Sequence, residues 1–214
     1  MKTFIQREES KNNPRRAEQK RSKKTRDQIM NAVVELIIRD GFASVTTVHI
    51  ATQAGISRGA MQHHFSSKNE LLLAVVDNLS ERILGPLPPQ AVKGAPIENQ
   101  VEIIVDRYWK SFSDDLFPAV TDIWMGSRKD PKLFNRINNH LQSVFASSAS
   151  HWKQYFSQYE IPKKQLMLAH EILRSTIRGL ALRRVFKEEK KTLISKTEKN
   201  AIKIFVLIIL KGQL

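Results

Sequence analysis

The chain contains no cysteine. That excludes a disulfide framework, thiolate metal ligands and a cysteine nucleophile, and it suits a reducing compartment. No apolar run approaches the roughly 20 residues that a membrane helix needs. The nearest, Ile202 to Leu210, is short and broken by Lys203. Phe4 and Ile5 are followed at once by charges, unlike the apolar core of a signal peptide. Both features predict a cytoplasmic protein with no membrane partner. The six histidines form no HExxH pair, and no glycine-rich phosphate loop or nucleophile elbow occurs. The reading is therefore not an enzyme, with no catalytic residues, no metal and no cofactor.

Acidic residues are also scarce: 35 Lys and Arg against 21 Asp and Glu leave a formal charge of +14. Such an excess favours an anionic partner, and its distribution says where. Residues 1–26 hold ten basic against three acidic side chains, residues 27–84 four against six, and residues 85–214 twenty-one against twelve. The first segment suits phosphate contact. The last excess reads as a solvated basic face. Hydrophobic residues make up 41% of the 214, enough for a sizeable core.

Residues 1–24 lack periodic hydrophobes and read as a basic flexible arm that turns helical toward its end. A first helix is predicted from Thr25 to Asp40, since Ile29, Ala32, Val33, Leu36 and Ile37 share one face. Gly41 ends it as a left-handed cap. Thr46 or Thr47 caps a second helix carrying Ile50, Ala51 and Ala54, which stops at Gly55. A threonine there can also donate to a DNA phosphate. Ser57 caps a third helix, Arg58 to His64, whose outward side chains are Arg, Gln and His rather than acids. Short helix, glycine turn and polar second helix make a helix-turn-helix, which lays the second helix in the DNA major groove. A helical hairpin buried in a core is the plainer alternative. Ser67-Lys68-Asn69-Glu70 spells a capping box opening a fourth helix to about Leu84. Lys68 stands in that first turn, where a cation disfavours the helix and an anion would be welcome.

These residues carry a family resemblance. Asp40-Gly41-Phe42, Thr46-Thr47, Ile50-Ala51, Ala54-Gly55-Ile56-Ser57, Gly59, His64-Phe65, Ser67-Lys68 and Leu71-Leu72 together resemble the DNA-binding domain of tetracycline-repressor (TetR) family regulators over about residues 25–84. The resemblance implies an all-α homodimer, with a three-helix N-terminal helix-turn-helix domain and a larger C-terminal helical domain for ligand binding and dimerisation. It implies phosphate contacts by Thr47 and Lys68. Arg58, Ala60, Gln62 and His63 would lie nearest the bases, with Ser57, Gly59 and His64 positioning the helix or touching the backbone. Gln62 departs from the family, which usually has a tyrosine there. Glutamine can bind adenine bidentately or a phosphate, so its role stays open.

Beyond residue 84, Gly85–Pro96 holds four of the eight prolines and reads as a loop. Five more helices are predicted, about nine in all: Ile97 to Phe112, Pro118 to Ser127, one opened by Asp130-Pro131, one opened by Pro162, and one started by the Ser195–Glu198 capping box. Tyr108, Trp109, Phe112, Trp124 and Phe145 either pack a plain core or border an apolar pocket. The resemblance favours an effector cavity there, with Leu173 and Ile177 of the eighth helix facing it. Arg174 and Arg178 either meet an anionic effector or pair with neighbours such as Glu171. The ninth helix is apolar almost all round and must be covered on more than one side. A second copy is the expected cover, with Ser175, Gly179, Phe205 and Ile209 at the subunit contact.

The expectation is a DNA-binding transcriptional regulator: a homodimeric, effector-responsive repressor on a palindromic operator in double-stranded DNA. It has a basic arm (1–24), a DNA-binding domain with a linking helix (25–84) and an effector and dimerisation domain (85–214). The competing reading is a helical small-molecule-binding protein or enzyme with a vestigial helix-turn-helix.

Overall fold

A computed structural model describes residues 14–84, 92–112, 116–186 and 196–213. Among them are nine α-helices and no strand: α1 Pro14–Asp40, α2 Thr47–Gln53, α3 Arg58–His64, α4 Lys68–Leu84, α5 Ile97–Phe112, α6 Leu116–Gly126, α7 Pro131–Tyr155, α8 Lys163–Phe186 and α9 Lys196–Leu210. Short 3₁₀ turns, Phe42–Ser44 and Ser127–Lys129, follow α1 and α6. The chain divides into two compact units between Val75 and Val76, within α4. The loop prolines at 86, 88 and 89, and Ser195, lie outside the described residues.

In the first unit α1 is longer than its hydrophobic pattern implies, starting at Pro14 rather than Thr25. Residues 15–24 are exposed throughout. Arg, Lys, Ala, Glu and Gln are good helix formers, so this segment extends a helix nucleated by the packed half without burying anything. Periodicity was blind to it because no face of it is buried. The packed half contributes Ile29, Val33, Leu36 and Ile37, each at most 2% exposed. They meet Ile50 and Ala51 of α2 and Met61 of α3, with Leu71, Leu72 and Val75 of α4 completing the core. Gly41 (φ 75°) and Gly55 (φ 64°) take left-handed conformations that a side chain would strain. After α2, the Gly55 N–H donates to Thr52 O and the Ile56 N–H to Ala51 O, the paired bonds of a Schellman cap.

In the second unit α8 lies against α5, α6, α7 and α9. Its Leu173 and Ile177 are fully buried beside Ile104, Phe112, Ile123, Ile137, Trp152 and Phe156. Asp130 caps α7 by accepting from the Leu133 N–H at 3.1 Å. Much of the C-terminal basic excess near α9 is paired rather than simply solvated. Lys199 and Lys203 reach Asp106 (3.0 and 3.5 Å), Lys203 also reaches Glu102 (2.6 Å), and Lys211 reaches Glu98 (2.6 Å). These residues recur every four, or twice four, positions, so each set occupies one stripe of its helix.

Candidate nucleic-acid interface

Two caps place the helix-turn-helix. Thr46 Oγ1 accepts the His49 N–H at 3.2 Å, and Ser57 Oγ accepts the Ala60 N–H at 3.1 Å. Each satisfies a donor that a helix start would leave unpaired, for about 1 kcal/mol. The two threonines thus separate: Thr46 is committed to its cap, while the exposed Thr47 hydroxyl makes no hydrogen bond among the described residues.

On α3 only Met61 is buried, with Phe65 just beyond as a second anchor. Arg58, Gly59, Ala60, Gln62 and His63 are exposed, and His64 is half-buried. The structure brings the predicted base-reading residues to one solvent-facing surface, and Thr46 to Lys68 contain no Asp or Glu. A side chain on Gly59 would meet only Ser57 Oγ, at 3.9 Å, and its φ is not positive. Nothing inside the chain requires glycine there.

Two contacts from α1 were not legible in the sequence. Arg26 Nη1 donates to His64 O at 2.5 Å, and Gln28 Nε2 donates to Ala54 O at 2.7 Å. They tie down the C-terminal ends of α3 and α2, where carbonyls lack helical partners. The Arg26 guanidinium also lies 4.1 Å from the Phe65 ring centroid. Burial, then His63 and Arg26, lower the pKa of His64, which favours its neutral form.

Ser67 Oγ accepts the Glu70 N–H at 3.2 Å, half of the expected capping box; Glu70 itself accepts from Ser66 Oγ at 2.5 Å. Lys68 is half-buried with Nζ 5.4 Å from the Phe42 ring centroid. Burial lowers its pKa, and no carboxylate pairs with it among the described residues. An ammonium at a helix start, partly desolvated and without a carboxylate, is one that a nearby anion would stabilise.

A family model described as bacterial regulatory proteins of the tetR family matches residues 29–75, the packed half of α1 through the first half of α4. Residues 29–75 are thus a TetR-family DNA-binding segment. The likeness runs past the matched segment. A transcriptional regulator of the helix-turn-helix type from Pseudomonas putida, CymR, is 25% identical over 176 residues, covering 82% of this chain and 87% of that protein. The regulator BetI from Cronobacter sakazakii is 29% identical over 167 residues, covering 74% and 78%. In fold, a putative tetR-family regulator from Mesorhizobium loti superposes with a TM-score of 0.70 at 20% identity, covering 90% of this chain and 98% of that one. The chain is thus a DNA-binding transcriptional regulator with the all-α architecture expected. The named relatives are regulators rather than enzymes.

The second unit has an apolar cavity. It is lined by Phe112, Phe117, Val120, Trp124, Leu141 and Phe145, with Ser80, Thr121 and Arg178 as its polar members; the Thr121 hydroxyl donates to the Phe117 carbonyl at 3.0 Å. Three of the expected residues, Phe112, Trp124 and Phe145, are brought together there. Tyr108, Trp109, Leu173 and Ile177 are not on the wall. Tyr108 instead joins Ser148 Oγ (2.7 Å) and His170 Nε2 (3.1 Å) in a polar cluster, and Leu173 and Ile177 fill the core. Helical periodicity distinguishes inside from outside, but residues one turn apart can meet different neighbouring helices. The space left in the cavity is about 20 Å³ for the centre of a water molecule, room for a single water.

At the expected subunit contact, Ser175, Gly179 and Phe205 are exposed. Ile209 is 2% exposed within the chain and is removed from that set. One face of α9 is already covered by α8 and α5, burying Ile202, Val206, Ile209 and Leu210; the opposite face leaves Ile204 and Phe205 open. No helix among the described residues is long and apolar enough to cross a membrane.

Proposed function

We propose that this regulator is a ligand-responsive repressor that binds a palindromic operator as a homodimer in the cytoplasm, and that Thr47, Arg58, Gly59, Ala60, Gln62, His63 and Lys68 form its DNA surface. The carrying observation is α3, a helix held by one buried residue that turns Arg58, Gln62 and His63 to solvent with no acid beside them. Arg58 suits a guanine edge and Gln62 an adenine edge, each such pair supplying about 1–3 kcal/mol of discrimination. Ser57, Thr46 and His64 hold the helix ends. The exposed basic half of α1 adds phosphate contacts that the slightly acidic remainder of the first unit lacks.

Dimerisation is supported by the face that α8 and α9 leave open, where Leu168, Ile204 and Phe205 are 44%, 58% and 43% exposed. Gly179 has nothing within 4 Å of a would-be side chain, leaving room for close helix approach. Two copies joined there would present two α3 helices to half-sites about 34 Å apart. The cavity in the second unit is the proposed effector site.

Sequencing the genomic fragments retained by the purified protein tests the reading. The expected result is an inverted repeat, bound by a species of twice the chain mass. No enriched fragment, or an enriched single half-site bound by a monomer, would overturn it. Phe205→Glu should give monomers with weakened operator binding.

A further inference from the structure

The cavity assigned above to the effector contains unused polar chemistry. Ser80 is 1% exposed and its hydroxyl has no hydrogen-bond partner. Trp124 Nε1 is likewise buried without an acceptor. Both groups border the same cavity as the Arg178 side chain. Orphaned buried donors cost about 1–3 kcal/mol each, so two of them facing one apolar space point to an absent acceptor.

The two arginines of α8 have different fates. Arg174 pairs with Glu171 at 2.8 Å and lies over the Phe145 ring at 4.3 Å. Arg178 is half-buried, 5.4 Å from the same ring centroid, and has no carboxylate partner among the described residues. Glu171 is already taken one turn away. A half-buried guanidinium beside a second cation, with Glu171 the nearby acid and that already paired to Arg174, favours an anion from outside the chain.

The remaining wall is aliphatic and aromatic except for Thr121, whose hydroxyl already donates to the Phe117 carbonyl. Phe112 and Phe117 meet edge to face at 4.8 Å, and Val120, Leu141 and Phe145 offer no hydrogen-bonding group. One cation, two unsatisfied donors and an apolar remainder define a ligand class. We propose that this cavity takes a small organic monoanion with a compact apolar body, its charged group held by Arg178 and hydrogen-bonded by Ser80 Oγ, with Trp124 Nε1 as a second donor. This rests on the reading of the cavity as the effector site. Compactness follows from space: with room for one water, the walls must part for any ligand. Ligand-filled and unfilled forms must then differ in packing, as an effector mechanism needs.

The test uses the full-length protein and two matched pairs of probes, benzoate with benzamide and hexanoate with hexanamide, read by tryptophan fluorescence and by melting temperature. At least one acid should bind ~10-fold or more tightly than its amide, as a charge-assisted pair requires. The ring and chain pairs separate an aromatic from an aliphatic body. In Arg178→Gln the preference should collapse to about twofold or less, and Arg174→Gln should retain it. Ser80→Ala removes a buried orphan hydroxyl, so the unliganded melting temperature should hold or rise while acid affinity falls ~3–10-fold. Should Arg178→Gln fail to fold, Ser80→Ala alone decides. Equal binding of acids and amides, no binding of either acid, or an unchanged preference in Arg178→Gln or unchanged acid affinity in Ser80→Ala would overturn the proposal. Operator retention is measured separately. Acid binding without DNA release would uphold the site chemistry and sink the effector reading. DNA release by neutral compounds alone would do the reverse.

Discussion

Arg26 Nη1 donates to the His64 carbonyl across 2.5 Å while the same guanidinium covers the Phe65 ring. A side chain of α1 thereby anchors the C-terminal end of the helix proposed to face the DNA, 38 residues later in the chain. Arg26→Ala should lower stability by about 2 kcal/mol, since it removes a charge-assisted bond and a cation–π interaction together. Arg26→Lys should recover only part, since an ammonium cannot stack as the planar group does. Urea unfolding measures this; a change below about 0.5 kcal/mol would show the clamp to be idle.

Gly59→Ala separates stability from binding. Alanine is favoured over glycine in a helix by up to about 1 kcal/mol, and by less in the first turn where Gly59 lies; only Ser57 Oγ, at 3.9 Å, would meet the new methyl. The variant should melt higher than the native protein yet bind operator more weakly, because on the proposed DNA surface the methyl would stand against the DNA backbone. Stronger or unchanged binding would remove Gly59 from the interface.

Lys68→Met keeps the packing against Phe42 and deletes the charge. Stability should hold or rise slightly, since the ammonium is partly desolvated and sits at a helix start. The log–log salt dependence of operator affinity should flatten by roughly 0.9 for each phosphate no longer neutralised, hence by about 2 for a dimer. A parallel line at lower affinity would mean that Lys68 acts through packing alone.

His170 makes acid stability a test of the second unit. It is 4% exposed, between Tyr108, Ser148 and the Trp152 ring, and burial followed by Arg174 lowers its pKa from 6.5 to about 4. The unfolded chain therefore takes up this proton first as pH falls. Stability should decline from about pH 6.5 down to about 4, by about 3 kcal/mol in total, and this contribution should level off below. His170→Gln should lose that slope, which denaturant titrations at several pH values would show.

Much of this was legible in the sequence, for local reasons. Thr46, Ser57 and Asp130 announce helix starts because the groups they cap lie two or three residues away. Gly41 and Gly55 announce ends for a similar reason. What escaped was long in sequence separation or free of burial: Arg26 and Gln28 act on carbonyls 38 and 26 residues away, and the first turns of α1 bury nothing. The cavity was half legible. Tyr108 and Phe112 stack at 6.3 Å on one helix face, yet one meets polar groups of α7 and α8 and the other the apolar lining. Ser80 carried no signal in the sequence, since its interest lies in a bond it does not make.

The lysine–carboxylate pairs between α9 and α5 also fix which side of α9 turns toward α5. Rotating α9 by half a turn would carry Lys199 and Lys203 away from Asp106 and Glu102 and bring Phe205 toward those acids. Apolar residues stand on both sides of α9, Ile202 and Val206 inward and Ile204 and Phe205 outward, so hydrophobicity alone chooses weakly between the two. The charged stripe makes the choice, and with it decides that Phe205 is left facing outward.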